Sequence, residues 1–403
     1  MRYSPAFVLC VVVFPFIGGC DSSSGSGGVT LMELENFQPA SVVIGQADFT
    51  GGDGNQNAAT DANTLNNPYG NAGFANGILY VGDYSNDRVL GFQGVPQAND
   101  MPADFVLGQP DFTSNASGDG ADEMNGPQSP GVSGGKLFVT DYNNNRVLIF
   151  DPAPDSGPTA ATVVVGQSDF DLSSSACSDA GMSSPESHIA VDGKLIVADS
   201  SNNRVLIWNS FPGVNGEAAD IVLGQQSFDA CNANTGEANP TASTFDYPTG
   251  VWSDGTRLVV LDSDNNRALI WNTFPETNFE PADVVLGQAD FNSNDWSAAS
   301  ATTFNYPYIG VASNGQQLAI ADSDNHRVLV WETFPTVNMA PADVVIGQGD
   351  FTSNMPNDDD QDGSVDAEPS ARTLHRPSGV HITRGGILIV SDRSNHRVLV
   401  YGE

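Results

Sequence analysis

The chain has 403 residues and a formal charge of -35, with 49 Asp and Glu against 14 Lys and Arg. A surface so acidic repels phosphate backbones, which excludes nucleic acid as a partner. Glycine (42) and proline (24) are abundant, as a chain rich in turns requires, and helix signals are nearly absent.

The first element is a targeting segment over residues 1–19. Arg2 supplies a short positive region, and Ala6 to Ile17 an apolar core too brief to remain as a membrane span. It closes with Ile17-Gly18-Gly19-Cys20, which resembles the lipobox of bacterial lipoproteins. That resemblance implies a lipid on the Cys20 thiol. It also implies a membrane anchor in the bacterial cell envelope, facing either the periplasm or the cell surface. Ordinary secretion with an incidental cysteine is the alternative. Asp21 to Gly28 favours the anchor, because a Ser/Gly-rich stretch is a flexible link between lipid and domain. The expected tether covers residues 20–40, and loss of residues 1–19 leaves a charge of -36. Cys177 and Cys231 are then the remaining cysteines. They fall in equivalent connections of consecutive repeats, so a disulfide is expected outside the cytosol, with two free thiols as the alternative.

From residue 41 onward the chain repeats with a period of about sixty residues. The anchors are Asp83/Asn86/Arg88, Asp141/Asn144/Arg146, Asp199/Asn202/Arg204, Asp262/Asn265/Arg267, Asp322/Asn325/Arg327 and Asp392/Asn395/Arg397. A Gly-Gln pair ends an apolar run at Gln46, Gln109, Gln167, Gln225, Gln288 and Gln348, and a proline follows each. A unit repeated at this period cannot bury its apolar faces alone and must stack on its copies. Each period holds four short β-branched runs bounded by Gly, Pro, Asn and Asp, which are strand signals. Four antiparallel strands repeated radially describe a propeller blade. The last repeat stops at Tyr401 after its third strand, while Ser41 to Gly45 reads as a fourth strand with no blade before it. Joining them closes the ring and removes an open sheet edge. The expected fold is all-β over residues 41–403. It is a six-bladed β-propeller of four-stranded antiparallel blades, closed by the N-terminal outer strand on the C-terminal blade.

The elements Pro-x-Gly-Val, Leu-x-Val-x-Asp and Asx-x-Arg-Val-Leu resemble the NHL repeat over roughly residues 42–403. The added Ala-Asp-x-Val-x-Gly-Gln-x-Asp-Phe unit, as at Ala282 to Phe291, is similar to a bacterial subgroup of envelope proteins. The resemblance implies the fold and says little of activity, because propellers host many functions.

The Arg-to-Gln interval is 21 residues wherever both anchors exist, which marks shared geometry rather than six ligand sites. The Gln-to-Pro interval varies: 22, 18, 18, 23, 19 and 29 residues. These links share a face with the Asp-x-x-Asn-x-Arg turns, and variable loops on a rigid scaffold are where binding usually resides. The longest carries Asp358-Asp359-Asp360-Gln361-Asp362-Gly363-Ser364-Val365-Asp366. Alternating carboxylates followed by glycine wrap oxygens around Ca²⁺. Asp358, Asp360, Asp362, the Ser364 carbonyl and Asp366 are the expected ligands. Pro369 stands where an EF-hand has its bidentate Glu, so a weak, isolated calcium loop is expected rather than a sensor. A solvated acidic loop is the alternative.

His188 and His381 occupy equivalent points of the innermost strands of opposite blades. A third histidine is missing from that level, so packing between blades is favoured over a Zn²⁺ or other channel metal. Tyr247, Tyr306 and Tyr308 stand where other repeats carry polar or small residues, and form a candidate ligand patch on the loop face of the fourth and fifth blades. No Ser-His-Asp set or carboxylate pair can be assembled from the sequence. The expected function is a lipid-anchored, extracytoplasmic binding or interaction propeller with a calcium-ordered loop. Its ligand would be a protein, peptide or glycan. A metal-dependent lyase or lactone hydrolase in the central channel is the alternative.

Overall fold

The computed structural model describes residues 31–402. The signal segment, Cys20 and the Ser/Gly-rich stretch lie outside them. No described helix is long and apolar enough to cross a membrane.

Six four-stranded antiparallel sheets stand around a central axis. From inside to outside, blade I is Gly73–Ala75, Ile78–Asp83, Arg88–Gln93 and Phe105–Leu107; blade II is Pro127–Ser133, Lys136–Asp141, Arg146–Phe150 and Val163–Val165. Blade III is Pro185–Val191, Lys194–Asp199, Arg204–Trp208 and Ile221–Leu223; blade IV is Pro248–Ser253, Leu258–Asp262, Arg267–Trp271 and Val284–Leu286. Blade V is Pro307–Ser313, Leu318–Asp322, Arg327–Trp331 and Val344–Ile346. Blade VI takes Pro377–Ile382, Leu388–Asp392 and Arg397–Tyr401 from the C-terminus and Val42–Ile44 from the N-terminus. Val42, Val43 and Ile44 pair with Val400, Leu399 and Val398. The six-bladed ring closed by an early strand is therefore as the repeat pattern predicts.

The turn chemistry explains the hairpins. Asn76-Gly77, Gly134-Gly135 and Asp192-Gly193 all have positive φ at both central residues, the twist that joins adjacent antiparallel strands. Inner strands bury both faces, so their alternation sorts residues between two neighbours. Val259 and Leu261 pack against blade V, whereas Leu258 and Val260 pack against blade III. Apolar clusters of this kind fill every gap between adjacent blades.

Residues 32–40, read from sequence as tether, belong to the propeller. Met32 is buried, and its N–H and carbonyl are both bonded to the Gln317 amide at 2.8 Å. Asn36 Oδ1 accepts the Val345 N–H at 3.0 Å. Asn99, Asn215, Asn278 and Asn338 cap the outermost strands of blades VI, II, III and IV in the same way. The N-terminal segment thus supplies the connection between third and outermost strands that blade VI would otherwise lack.

The repeated anchors form a buried polar ring. In every blade the Arg Nε reaches the Asp Oδ2 at 2.7–2.8 Å, with both side chains fully buried. The turn Asn donates to the same Oδ2, as Asn265 does to Asp262 at 2.8 Å. The guanidinium also donates to loop carbonyls, for example those of Phe291, Thr241 and Thr244 from Arg267. Each Gln side chain ties a turn to its loop, as Gln225 does to the Asn203 and Asn232 carbonyls. The preceding glycine is required by its left-handed φ (+86° at Gly224) and by Phe245, which leaves no room for a Cβ. Six copies of one paired Asp–Arg turn are structural, although Asn325 Oδ1, Gln225 Oε1 and Gln348 Oε1 are buried without a partner.

Candidate functional site at the channel mouth

The loop face is the one on which the Gln-to-Pro links meet the Asp-x-x-Asn-x-Arg turns. Three links are long for a common reason. Asn55, Asn234 and Asn357 are left-handed and pair their amides with the turn residues Asn86, Asn265 and Asn395. In the shorter links of blades II and III the turn Asn bonds a backbone carbonyl instead, Asn144 that of Gly118 and Asn202 that of Ala176, while Asn325 of blade V bonds Asp322 alone.

At the centre of this face three positions per blade point inward: the residues flanking the proline anchor, and the residue after the anchor Asp. The residue before the proline is left-handed in all six blades (Asn67, Gly126, Ser184, Tyr247, Tyr306, Arg376). That is an uncommon conformation before proline, and it is strained for any residue but glycine. Residues after the proline are Tyr69, Gln128, Glu186, Thr249, Tyr308 and Ser378; those after the Asp are Tyr84, Tyr142, Ser200, Ser263, Ser323 and Arg393. Here the repeat breaks its own symmetry.

Glu186, 1% exposed, is the hub. Its Oε1 accepts the hydroxyls of Tyr308 at 2.7 Å and Tyr247 at 2.9 Å. Its Oε2 is buried beside the Gln128 amide, whose Oε1 is likewise buried without a partner. Burial pushes the carboxyl up to about 7, against the opposing pull of the tyrosine hydroxyls, Gln128 and Arg393. The Tyr308 hydroxyl also meets that of Tyr69 at 3.3 Å, linking blades I, III, IV and V. Tyr306 stacks on Tyr308 with ring centres 5.3 Å apart. Tyr84 lies 4.9 Å from Tyr69, and Tyr142 lies 6.2 Å from Tyr84. The Arg393 guanidinium sits 4.8 Å over the Tyr69 ring and donates to its hydroxyl. The mouth is thus closed by tyrosines around one carboxyl and one guanidinium. Burial of the phenols pushes Tyr84 up to about 12 and raises Tyr308 well above the ordinary value, so the hydroxyls remain donors at physiological pH.

Tyr247, Tyr306 and Tyr308 therefore converge, but in a partly interior arrangement: Tyr308 is buried and the other two are half-buried. Glu186, Arg393, Arg376, Tyr84 and Tyr142 escaped the sequence reading. Aligning the residue after each anchor Asp would have shown Tyr, Tyr and Arg against three serines.

The other expected sites lie elsewhere. Ligand atoms of Asp358, Asp360 and Asp366 lie within 4.8 Å of one another, the one such group among the described residues. The Asp362 carboxylate instead accepts the Ser364 N–H at 2.8 Å, while Asp358 accepts the N–H groups of Asp362 and Gly363. Cys177 and Cys231 are joined as a disulfide between the loops entering blades III and IV. His188 Nδ1 meets the Thr140 hydroxyl at 2.9 Å and its ring packs on Phe138. Burial lowers His188 to about 3 and His381 to about 4. Neither belongs to a group of metal-ligating side chains among the described residues.

The NHL repeat family model matches residues 374–401, the last repeat of the ring. No curated protein matches the chain. Among solved structures it is similar to an auxiliary nutrient binding protein from Bacteroides thetaiotaomicron, with 13% identity over 84% of this chain and 69% of that one, and a TM-score of 0.47. The WD40 beta propeller domain of Doa1 has 10% identity, covers 93% and 96% of the two chains, and has a TM-score of 0.43. Streptogramin B lyase has 11% identity, coverage of 85% and 94%, and a TM-score of 0.39. Likenesses at this level carry no argument about activity.

Proposed function

We propose that this is a ligand-binding propeller of the bacterial envelope, anchored through a lipid on Cys20, whose binding site is the tyrosine-lined mouth. One observation carries the reading. At positions filled by Ser or Thr in other blades, Tyr69, Tyr84, Tyr142, Tyr308, Glu186 and Arg393 gather at one place, joined by hydroxyl bonds to Glu186 and Arg393. Amphipathic rings set around one carboxyl and one guanidinium combine stacking faces with a few convergent polar groups, as ligand sites do. Ligands with an apolar ring face and polar substituents, a glycan or peptide end, match it. The test is a glycan and peptide array probed with the lipid-free protein in millimolar Ca²⁺. Hits lost in Tyr308→Thr, the residue blade IV carries as Thr249, support the reading; no hits, or hits indifferent to that change, sink it.

The acidic loop fits Ca²⁺ in the chemistry of its donors. Asp358, Asp360 and Asp366 supply hard oxygens close enough to share one ion, and Asp362 and Ser364 lie beside them. Bound calcium would neutralise these carboxylates and stiffen the link that enters blade VI. Calorimetric titration should show heat in the parent and none in Asp360→Ala; a parent without heat ends the claim.

An elimination or lactone-opening enzyme at the same mouth is the second reading. Glu186 favours it, because a carboxyl raised to about 7 beside two phenols can exchange a proton at neutral pH. Turnover of a bound glycan or lactone, lost in Glu186→Gln, would replace binding by catalysis.

A further inference from the structure

Beside the tyrosines lies a pocket of about 140 Å³ lined by Tyr306, Tyr308, Ser323, Asp324, Arg376 and Arg393. Its cations are unusual in their setting. The chain has 14 Lys and Arg against 49 Asp and Glu. Six of those arginines, Arg88, Arg146, Arg204, Arg267, Arg327 and Arg397, are fully buried in the structural turns. Two of the remainder line this one small pocket. Arg376 is exposed and paired with Asp324 at 3.1 Å. Arg393 is held by aromatic groups alone: the Tyr69 hydroxyl, the Tyr69 face and the Tyr308 ring at 5.7 Å. Among the described residues no carboxylate reaches it as a salt bridge. Its charge is fixed in place by the tyrosines and offset only through space, by the Glu186 carboxyl, with no ion pair.

From this juxtaposition we infer that the pocket takes a carboxylate carried on a saccharide ring, a uronic acid, with the carboxylate on Arg393 and Arg376 and the ring against Tyr306. The inference rests on reading the mouth as a binding site and names the class of ligand. A planar guanidinium pre-set on a ring presents its outer N–H pair to a carboxylate in two parallel bonds. The half-buried Tyr306, backed by Tyr308, gives the C–H face of a pyranose an apolar wall. The net charge decides the size of the ligand. An acidic surface repels a long polyanion, and only a short or terminal anion gains more from two local arginines than it loses to the background.

The in-chain equivalents give variants that keep the fold. Blades III, IV and V carry Ser200, Ser263 and Ser323 where blade VI has Arg393, and blade I has Asn67 where blade VI has Arg376. The experiment titrates the mature protein with D-glucuronate, D-glucose, acetate and a short oligouronide at low and high salt, followed by NMR line shape and calorimetry. Glucuronate should bind at least tenfold more tightly than glucose or acetate. The preference should fall at least fivefold in Arg393→Ser and less in Arg376→Asn, and should weaken with salt. A tighter oligouronide points to a glycan terminus as the natural source, whereas equal affinity points to the free sugar acid. Glucose binding as well as glucuronate, or an unchanged preference in Arg393→Ser with a native melting curve, overturns the carboxylate inference while leaving a binding mouth intact. Failure of every ligand here, with array hits lost in Tyr308→Thr, overturns it equally.

Discussion

The turn ring and the channel mouth are neighbours, separated by one residue in each repeat, yet they handle buried charge in opposite ways. In the ring every Asp is matched by an Arg, an Asn amide and a backbone N–H, as Asp262 is by Arg267, Asn265 and Asp246. At the mouth Glu186 has two phenols on one oxygen, the Gln128 amide beside the other and, among the described residues, no ion pair. Six copies of a satisfied group describe a scaffold. One buried carboxyl without an ion pair, made by breaking the repeat, describes a site. The contrast teaches that within a single repeat chain, departures from symmetry carry the information that homologues would otherwise supply.

The sharpest way to break the comparison is to remove one ring member. Arg267→Ala leaves Asp262 charged and fully buried beside three orphaned loop carbonyls, a loss of about 3–5 kcal/mol. Arg267→Lys recovers little, because Nε and both terminal nitrogens are all engaged. Urea unfolding midpoints measure both. A loss under about 1 kcal/mol would mean the ring is not what holds the face together.

Glu186→Gln should move stability the other way. The folded carboxyl titrates near 7, above the unfolded value of 4.5. The folded state therefore holds its proton longer, and stability falls as pH rises from 4.5 to 7, with the full penalty present above 7. The amide keeps an oxygen for Tyr247 and Tyr308 and carries no charge. At pH 8 the variant should gain up to about 3 kcal/mol, the equivalent of the shift, and lose the slope between pH 4.5 and 7. A stabler protein that no longer binds ligand would place Glu186 among residues kept for function at the expense of stability. A variant less stable than the parent at pH 8 would refute the account of Glu186 as strained.

How much of this was legible beforehand follows from the same contrast. The ring, the six blades and the closure at Val43 and Leu399 were readable because repetition averages out local accident and exposes geometry. The boundary of the propeller was not: Asn36 does the work of Asn278, but a single Asn in a segment without strand pattern carries no periodic signal. The mouth was half legible. Tyr247, Tyr306 and Tyr308 stood out by size against small equivalents, whereas Glu186 in an acidic chain did not. Its meaning came from burial and from the two hydroxyls that converge on it across blades, which no linear spacing records.

The smallest effect comes from the position after the turn Asn, where ring and mouth meet. There a left-handed residue accepts the N–H of the residue before the next blade's proline: Asp87 from Gly126, Asn145 from Ser184, Asn203 from Tyr247 and Asn266 from Tyr306. Blades V and VI use histidine, with Nδ1 of His326 accepting from Arg376 at 3.1 Å and that of His396 from Asn67 at 2.9 Å. The acceptor must be neutral, and burial lowers both, His326 to about 3 with help from His375 and Arg376. Asp53 and Asp392 oppose the shift at His396 without reversing it. The unfolded imidazoles take protons first, so their contribution is complete above about 6.5 and is lost as pH falls below it. His326→Asn with His396→Asn restores the acceptor of blades II to IV and removes two titrating groups. Melting temperatures at pH 7.5 should agree between parent and variant. At pH 5 the variant should lose less, with His188, His375 and His381 still costing stability and Glu186 and Asp264, both raised by burial, offsetting part of that slope. Equal losses in both proteins would show that the imidazoles at these staples stay indifferent to acid, and that the two blades flanking Arg376 are held by something other than a neutral acceptor.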